Sequence, residues 1–212
     1  MSYFTNSRPE MLNYVPLDLR KTLEIGCGFG NFSYSLKQRQ NIEAWGVEPS
    51  VEAALCAMGK LDNVINAKFD NDIDLPSFYF DCIIFNDVLE HLTDPWNALE
   101  LSKKFLKQHG FIVCSIPNFR YWENMIEVVY NGSWEYKEEG ILDKTHLRFF
   151  TYKSIIELFQ KSNLDILKIE GINPLNSRKF NLCYHLLKNK LWDMRFLQFA
   201  VVAKKKRIIS LY

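Results

Sequence analysis

The stretch Thr22-Leu-Glu-Ile-Gly-Cys-Gly-Phe-Gly-Asn31 sets three glycines at alternate positions behind a short apolar run that carries one acid. Gly26, Gly28 and Gly30 let a ligand lie against the main chain where a Cβ would intrude, and the helix expected next offers unpaired N–H groups at its first turn. Glu24, just before the turn, can meet a cationic group or hold the turn through its backbone N–H groups. Glu48 closes a second apolar run 20 residues after Gly28. An acid there can accept both ribose hydroxyls of an adenosine, or it can cap the helix that begins after Pro49. Far along the chain, Asp143-Lys-Thr-His146-Leu-Arg148 gathers an acid, an imidazole and a guanidinium. His146 suits proton uptake near neutrality with Asp143 orienting its ring, or the trio makes a hydrogen-bonded brace. Arg148 has the planar fork that takes a carboxylate or phosphate, or it pairs with Asp143 or Glu139.

The elements that would carry these groups alternate. A lead-in helix over Pro9–Tyr14 precedes the first strand and the glycine turn, and a helix follows over Phe32–Gln40. Glu43–Val47 reads as a strand, Ser50 as the cap of a helix to about Lys60, and Val64–Asn66 as a short strand before an acidic loop (Asp70, Asp72, Asp74) closed by Pro76. Asp81–Phe85 is apolar enough to sit centrally in a parallel sheet. It ends at Asn86-Asp87, and a helix from Pro95 to about Gln108 leads through Gly110 into the strand Phe111–Ile116. Strands and helices in this order make an α/β doubly wound, Rossmann-like sheet of three αβα layers, mostly parallel. Right-handed crossovers bring the strand ends holding Gly26, Glu48, Asp70 and Asn86 to one side, where such sheets bind ligands. The alternation breaks at about 118–150, an insert holding Phe119, Tyr121, Trp122, Tyr130, Trp134, Tyr136, Phe149 and Phe150. Thr151 then caps a helix to Ser162, and Leu164–Glu170 and Phe196–Ala203 form a C-terminal antiparallel pair. One domain over 1–212 is expected, ending in a basic run, Lys204–Arg207, read as a solvated tail.

Composition narrows the class. The 212 residues carry a net charge of +1, with 48% hydrophobic and 24% charged residues, an ordinary globular balance without the basic excess of a nucleic-acid surface. Five scattered cysteines form no C-x-x-C pair, which points to a reducing, cytoplasmic setting. No run approaches the ~18 apolar residues of a membrane span. The four histidines are dispersed in the sequence without zinc spacing, so no metal is expected. Glu90-His91 is a tempting acid/base pair, but neighbours on a helix face different ways.

With these residues in view, Glu24-Ile-Gly-Cys-Gly-Phe-Gly30 resembles the first motif of class I S-adenosylmethionine-dependent methyltransferases. Phe80-Asp-Cys-Ile-Ile-Phe-Asn-Asp-Val-Leu-Glu-His-Leu-Thr-Asp-Pro-Trp96 resembles the fourth-strand segment of that superfamily. The stretches Ser115-Ile-Pro-Asn, Trp134-Glu-Tyr and Gly140-Ile-Leu-Asp-Lys-Thr-His-Leu-Arg-Phe-Phe-Thr151 resemble a bacterial subgroup associated with surface-polysaccharide and other glycan biosynthesis. The resemblance implies S-adenosyl-L-methionine as cofactor, with Glu24, Gly26, Cys27, Gly28 and Gly30 around its methionine and ribose portions. It places Glu48 and Pro49 at the ribose and Asn86 beside the amino acid moiety. The family's Gly-Asp pair after the third strand is replaced here by Lys68-Phe69, which leaves Asp70 as the adenine contact. Methyl transfer from a sulfonium needs alignment and exclusion of water. The insert lies where an acceptor lid would be, with Tyr121, Trp122, Trp134 and Arg148 as acceptor contacts and His146 with Asp143 as the base pair.

The acceptor implied is a small molecule or glycan, methylated at oxygen, with nitrogen and carboxylate acceptors left open and a homodimer allowed. Two other classes compete. A nicotinamide-dependent oxidoreductase shares the strand–turn–helix–acid plan, and Tyr184-x-x-x-Lys188 matches the spacing of a short-chain dehydrogenase pair. However, residue 31 is Asn where the dinucleotide fingerprint has glycine. The other is a binding protein that keeps the fold without activity, against which the intact Glu24, glycines and Glu48 argue.

Overall fold

The computed structural model describes residues 7–177, 180–181, 184 and 190–206. Its strands are β1 (Lys21–Ile25), β2 (Glu43–Val47), β3 (Asn63–Ile65), β4 (Phe80–Asn86), β5 (Leu106–Pro117), β6 (Leu164–Pro174) and β7 (Phe196–Lys205). They form one seven-stranded sheet in the order β3-β2-β1-β4-β5-β7-β6. The first five run parallel, and β7 lies antiparallel between β5 and β6. This is the mostly parallel Rossmann-like arrangement expected. Strand order reverses between β1 and β4, so their carboxyl ends open the crevice of a topological switch point.

Alternating side chains divide the core between the two faces of the sheet. Phe80, Ile83 and Phe85 of β4 join Ile112, Cys114 and Ile116 of β5 and Phe199 and Val201 of β7 on one face. There they meet Leu99 and Phe105 of α3 (Pro95–Phe105) and Ile155, Leu158 and Phe159 of the Tyr152–Lys161 helix. On the other face, Cys82, Ile84, Val113, Ala200 and Val202 pack with Phe32 and Leu36 of α1 (Asn31–Arg39) and Ala57 of α2 (Val51–Met58). Met11 and Val15 belong to the same cluster; the lead-in Pro9–Tyr14 is a 3-10 helix. Helix and sheet signals therefore agree, and the three layers follow.

Local chemistry sets the helix starts. The Ser50 hydroxyl accepts the Ala53 N–H at the head of α2. The Asp94 carboxylate accepts the Asn97 N–H at the head of α3. Thr151 and Ser154 exchange side-chain and backbone bonds in a capping box.

Three expectations change. The α3 helix stops at Phe105 rather than near Gln108, because Leu106 already pairs with Phe80 of β4. The register then jumps to Cys82 opposite Phe111, so Gly110 lies inside an irregular β5. A Cβ on Gly110 would meet Leu106 Cδ1 at 2.6 Å and Asp81 O at 3.0 Å. Lys204 and Lys205 are not a solvated tail: both belong to β7. Lys204 lies over the Phe111 ring and Lys205 donates to the Leu106 carbonyl. Apart from these, Lys188 of the Tyr184–Lys188 pair and Arg207 lie outside the described residues, which leaves both readings untouched.

The insert is tied at both ends. Asn118 bridges to Phe150, and Phe119 N–H donates to the Phe150 carbonyl at 2.7 Å. Between them run α4 (Trp122–Met125) and a π-helical turn, Ile126–Tyr130. The helix Tyr152–Lys161 that follows is α5. No helix among the described residues is long and apolar enough to cross a membrane.

Candidate active site

Two sets of polar side chains converge at the carboxyl ends of the parallel strands. The first surrounds the glycine turn. Glu24, in β1 and 3% exposed, points to the α1 face. One of its oxygens accepts the Ser33 N–H at 3.2 Å and the Ser33 hydroxyl at 2.7 Å, and the other accepts Asn86 Nδ2 at 3.3 Å. Burial drives the Glu24 pKa up to about 7, against the pull of these three bonds, and the nearby Glu48 charge adds to the rise. Glu24 therefore holds the turn through Ser33 and Asn86, a role the sequence allowed without naming its partners.

Glu48 is 4% exposed. It accepts the Gly28 N–H at 2.9 Å on one oxygen and the Ser50 N–H at 2.9 Å on the other. It thus couples the glycine turn to the head of α2, and each oxygen keeps acceptor capacity for a further donor. Asn66, not singled out from the sequence, donates to the Glu48 and Pro49 carbonyls at 2.8 and 3.2 Å. Pro49 is exposed. Asp70 is also exposed and accepts the Asp72 N–H at 3.1 Å within its own loop.

The glycines answer first to the protein itself. Gly26 has φ +66°, and a Cβ there would meet Val88 Cγ2 at 2.8 Å. Gly30, at φ +74°, lies against Ala57 and Leu61 of the α2 region. The Cys27 side chain is buried. Its sulfur turns into the core toward Gly46, whose notional Cβ would sit 2.5 Å from Sγ. Burial holds that thiol far above the usual cysteine range.

These residues fit an adenosyl sulfonium. The turn is backbone-lined, Glu48 can accept hydroxyl protons, and Asn86 Oδ1 is a buried oxygen with no hydrogen-bond partner among the described residues. That is an acceptor suited to an α-amino group.

The second set joins the switch-point turn to the insert. Val88–Leu92 forms a tight turn rather than an α-helix, with Leu89–His91 as a 3-10 helix. The Glu90 carbonyl accepts the N–H groups of Leu147 and Arg148 at 2.8 and 3.0 Å. This pulls the insert onto the turn and overturns two expectations. His91 and His146 are not dispersed in space: their rings meet edge to face at 4.6 Å. Glu90 and His91 do converge, because His146 comes to them, and one donor atom from each of the three lies within 4.8 Å of the others. Such a triad is also a donor set that a cation could use.

Asp143 is corrected as the partner that orients His146. His146 Nδ1 pairs with the Ile141 carbonyl at 2.9 Å. Asp143 instead accepts the Thr145 N–H and hydroxyl, each at 2.7 Å, and the same hydroxyl lies 3.0 Å from His91 Nδ1. Asp143 therefore positions His91, through Thr145. Burial raises its pKa, but the Thr145 bonds and the imidazole fields outweigh that and hold it below the usual carboxylate range. His91 is pushed below the usual imidazole range, first by burial and then by His146.

Arg148 rests on the Thr93 and Leu147 carbonyls. Among the described residues it makes no ion pair with Asp143 or Glu139. Behind the turn, Asp87 has φ +54°. It accepts the Ser115 hydroxyl at 2.9 Å and Gln198 Nε2 at 2.8 Å, and is paired with Arg8.

A cavity of about 930 Å³ opens between the insert and β7. Tyr121, Trp122, Tyr130, Ile141 and Leu142 line it, with Glu123, Glu127, Glu135 and Glu139 among its polar groups. Tyr121 and Trp122 are on the wall nearest the start of the insert. Trp134 does not line the cavity; it packs on Phe119 at 5.1 Å and Phe149 at 5.5 Å.

A family model described as a methyltransferase domain matches residues 7–169. The ubiquinone biosynthesis O-methyltransferase of Vibrio atlanticus (strain LGP32) is 28% identical over 183 residues, covering 79% of this chain and 75% of that protein. Its counterpart in Shewanella sp. (strain ANA-3) is 26% identical over 179 residues, with the same two coverages. A SAM-dependent methyltransferase structure from Archaeoglobus fulgidus superposes with a TM-score of 0.67 at 21% identity, over 96% of this chain and 97% of that one. It shares the fold. The narrower resemblance to a glycan-associated subgroup finds no support among these relatives.

Proposed function

The chain belongs to the methyltransferase-domain family and is an S-adenosylmethionine-dependent methyltransferase; from that premise we propose that it methylates a hydroxyl oxygen of a small molecule held between the insert and the carboxyl ends of β4 and β5. The observation that carries this reading is the meeting of His146 and His91 beside the switch point, in a protein whose similar relatives are named O-methyltransferases. This proposal sets the nicotinamide and inactive-fold readings aside.

For the cofactor, Gly26, Gly28 and Gly30 offer backbone to its methionine and ribose portions, and Glu48 accepts the ribose hydroxyls beside Pro49. Asn86 Oδ1 faces the amino acid moiety, and Glu24 keeps the turn in shape through Ser33. Asp70 is the adenine contact. When bound, the cofactor supplies a methyl group already activated on a sulfonium. The chain's task is then to align an oxygen, exclude water and take a proton. Here the Ile141 carbonyl fixes the His146 ring, so Nε2 is the atom that serves the acceptor. Arg148, Tyr121 and Trp122 bound the acceptor's place.

Aromatic rings suit a hydroxylated aromatic acceptor, and the ubiquinone-related names favour that class over a carbohydrate. A sugar hydroxyl is the second reading, favoured by the glutamates of the cavity, which accept hydroxyl protons.

The test is a screen with methyl-labelled S-adenosylmethionine against catechols, phenols and sugars. The product is expected on oxygen of a hydroxylated aromatic. Label on a nitrogen or on a carboxylate, with none on a hydroxyl oxygen, would sink the reading.

A further inference from the structure

We propose that Arg8, in the lead-in before β1, is a positioning residue for the cofactor. Its guanidinium clamps Asp87 in the left-handed backbone that aims Asn86 at the cofactor's amino acid moiety and seats Val88 over Gly26. The clamp rests on the Asn86 assignment above, and the closing experiment separates the two.

Arg8 is 7% exposed, and its guanidinium is used on three sides. Nε donates to Glu10 at 2.8 Å, Nη1 pairs with the Asp87 carboxylate, and Nη2 donates to Gln198 Oε1 at 2.9 Å. Gln198, in β7 and also buried, donates in turn from Nε2 to the other Asp87 oxygen at 2.8 Å. Arg8 therefore reaches Asp87 twice, once directly and once through Gln198. Only a planar fork spans both arms.

Asp87 is held from β5 as well. Its carboxylate accepts the Ser115 hydroxyl at 2.9 Å, and its N–H faces the Ser115 carbonyl at 3.2 Å and Oγ at 3.0 Å. Its φ is +54°. Arg8 has φ +45°, immediately before Pro9, where the chain ordinarily prefers extended backbone. Left-handed backbone at non-glycine residues costs free energy and persists where the surroundings over-determine it. Here the two residues joined by the ion pair both adopt it.

The consequence falls on the neighbours of Asp87. Asn86 precedes it, with Nδ2 on Glu24 and a buried Oδ1 that has no hydrogen-bond partner among the described residues. Val88 follows it and lies where a Cβ on Gly26 would be. Were Asp87 to relax to a right-handed turn, the peptides on both sides would rotate and carry Asn86 and Val88 with them.

Docking alone does not call for the pair. Met11 and Val15 already seat the lead-in in the apolar cluster on the α1 face. A buried ion pair is a poor adhesive beside apolar side chains of similar volume. What it supplies is a fixed geometry at the switch point.

The experiment is calorimetry on the 212-residue chain with two ligands, S-adenosylhomocysteine and 5′-methylthioadenosine. The second keeps the adenosine and the sulfur and lacks the amino acid. Arg8→Gln should weaken S-adenosylhomocysteine by about tenfold or more and 5′-methylthioadenosine by less than about twofold. Arg8→Lys, a point charge without the fork, should restore only part of the loss. In an Asn86→Ala background, Arg8→Gln should cost little further. If Arg8→Gln does not fold, Asp87→Asn, which tolerates the left-handed turn, should show the same ligand selectivity. Equal losses for the two ligands would mean that Arg8 only fastens the lead-in, and would overturn the clamp. So would unchanged affinity for both, or full additivity with Asn86→Ala. Asn86→Ala that leaves S-adenosylhomocysteine affinity intact, while Arg8→Gln stays selective, would sink the Asn86 assignment alone.

Discussion

Ser33 donates both its backbone N–H and its hydroxyl to one oxygen of Glu24, at 3.2 and 2.7 Å. The first turn of α1 is thereby fastened to the strand before the glycines. The Glu24 pKa of about 7 means that this carboxyl changes charge near neutrality. Ser33→Ala is expected to destabilise the fold by about 1–3 kcal/mol. The cost should be larger at pH 8 than at pH 5.5, since the ionised carboxylate needs the donor more. Urea denaturation at the two pH values checks this; an equal loss at both would mean Glu24 is not the partner that matters.

Glu48 serves the protein twice, through Gly28 and Ser50, before it serves a ligand. Glu48→Gln keeps the volume but loses the charge and turns one acceptor into a donor. Cofactor affinity by calorimetry is expected to fall at least about tenfold, or about 1.4 kcal/mol, with the far-ultraviolet circular dichroism unchanged. Unaltered affinity would remove Glu48 from the ribose site.

Much of the architecture was legible because it rests on short-range signals. Glu43–Val47 matched its strand, Ser50, Asp94 and Thr151 each head a helix, and the break at Asn118 is where the chain leaves the sheet. The misses share one cause, which is contact between residues distant in sequence. Leu106 begins a strand because Phe80 pairs with it, against the helical pattern around it. His91 and His146 carry no shared spacing; the N–H groups of Leu147 and Arg148 on the Glu90 carbonyl and the Thr145 contacts with His91 bring them together. One signal was available for Glu90: an acid inside Val88-Leu-Glu-His-Leu92 must face either water or a partner.

Gly26 and Val88 test why the turn needs its first glycine. Gly26→Ala puts a Cβ 2.8 Å from Val88 Cγ2 at a positive φ. The expected loss is about 1–3 kcal/mol. In a Val88→Ala background the loss should shrink but not vanish, because the steric part is relieved and the backbone strain remains. A full double-mutant cycle by chemical denaturation separates the two. If Gly26→Ala costs as much in both backgrounds, strain alone explains the glycine.

The Glu90 carboxyl predicts a slope in stability with pH. Its pKa rises from 4.5 to about 8 on folding, so between those values the native state keeps a proton that the unfolded state releases. Stability from this group is full below about pH 4.5 and is lost as pH rises through about 8, by on the order of a few kcal/mol. Glu24 slopes the same way but finishes near pH 7. Glu90→Gln should therefore flatten the decline between pH 7 and 8 specifically. Thermal midpoints across pH 5–9 check it, and parallel curves for variant and wild type would contradict a raised Glu90.

The switch-point turn and the insert meet at His146. Its ring is 8% exposed and fixed by a backbone carbonyl rather than by Asp143, so replacing Asp143 should act through His91 and be the milder change. Against whichever acceptor the screen identifies, His146→Ala is expected to lower kcat by about 10²–10⁴-fold while cofactor affinity holds. Asp143→Asn keeps the shape near Thr145 but removes the charge that helps His91 hold a proton. Its kcat should fall less, with the pH profile displaced. If Asp143→Asn proved as damaging as His146→Ala with no displacement of the profile, both residues would be bracing the insert on Glu90. The acceptor's proton would then have to leave by another route.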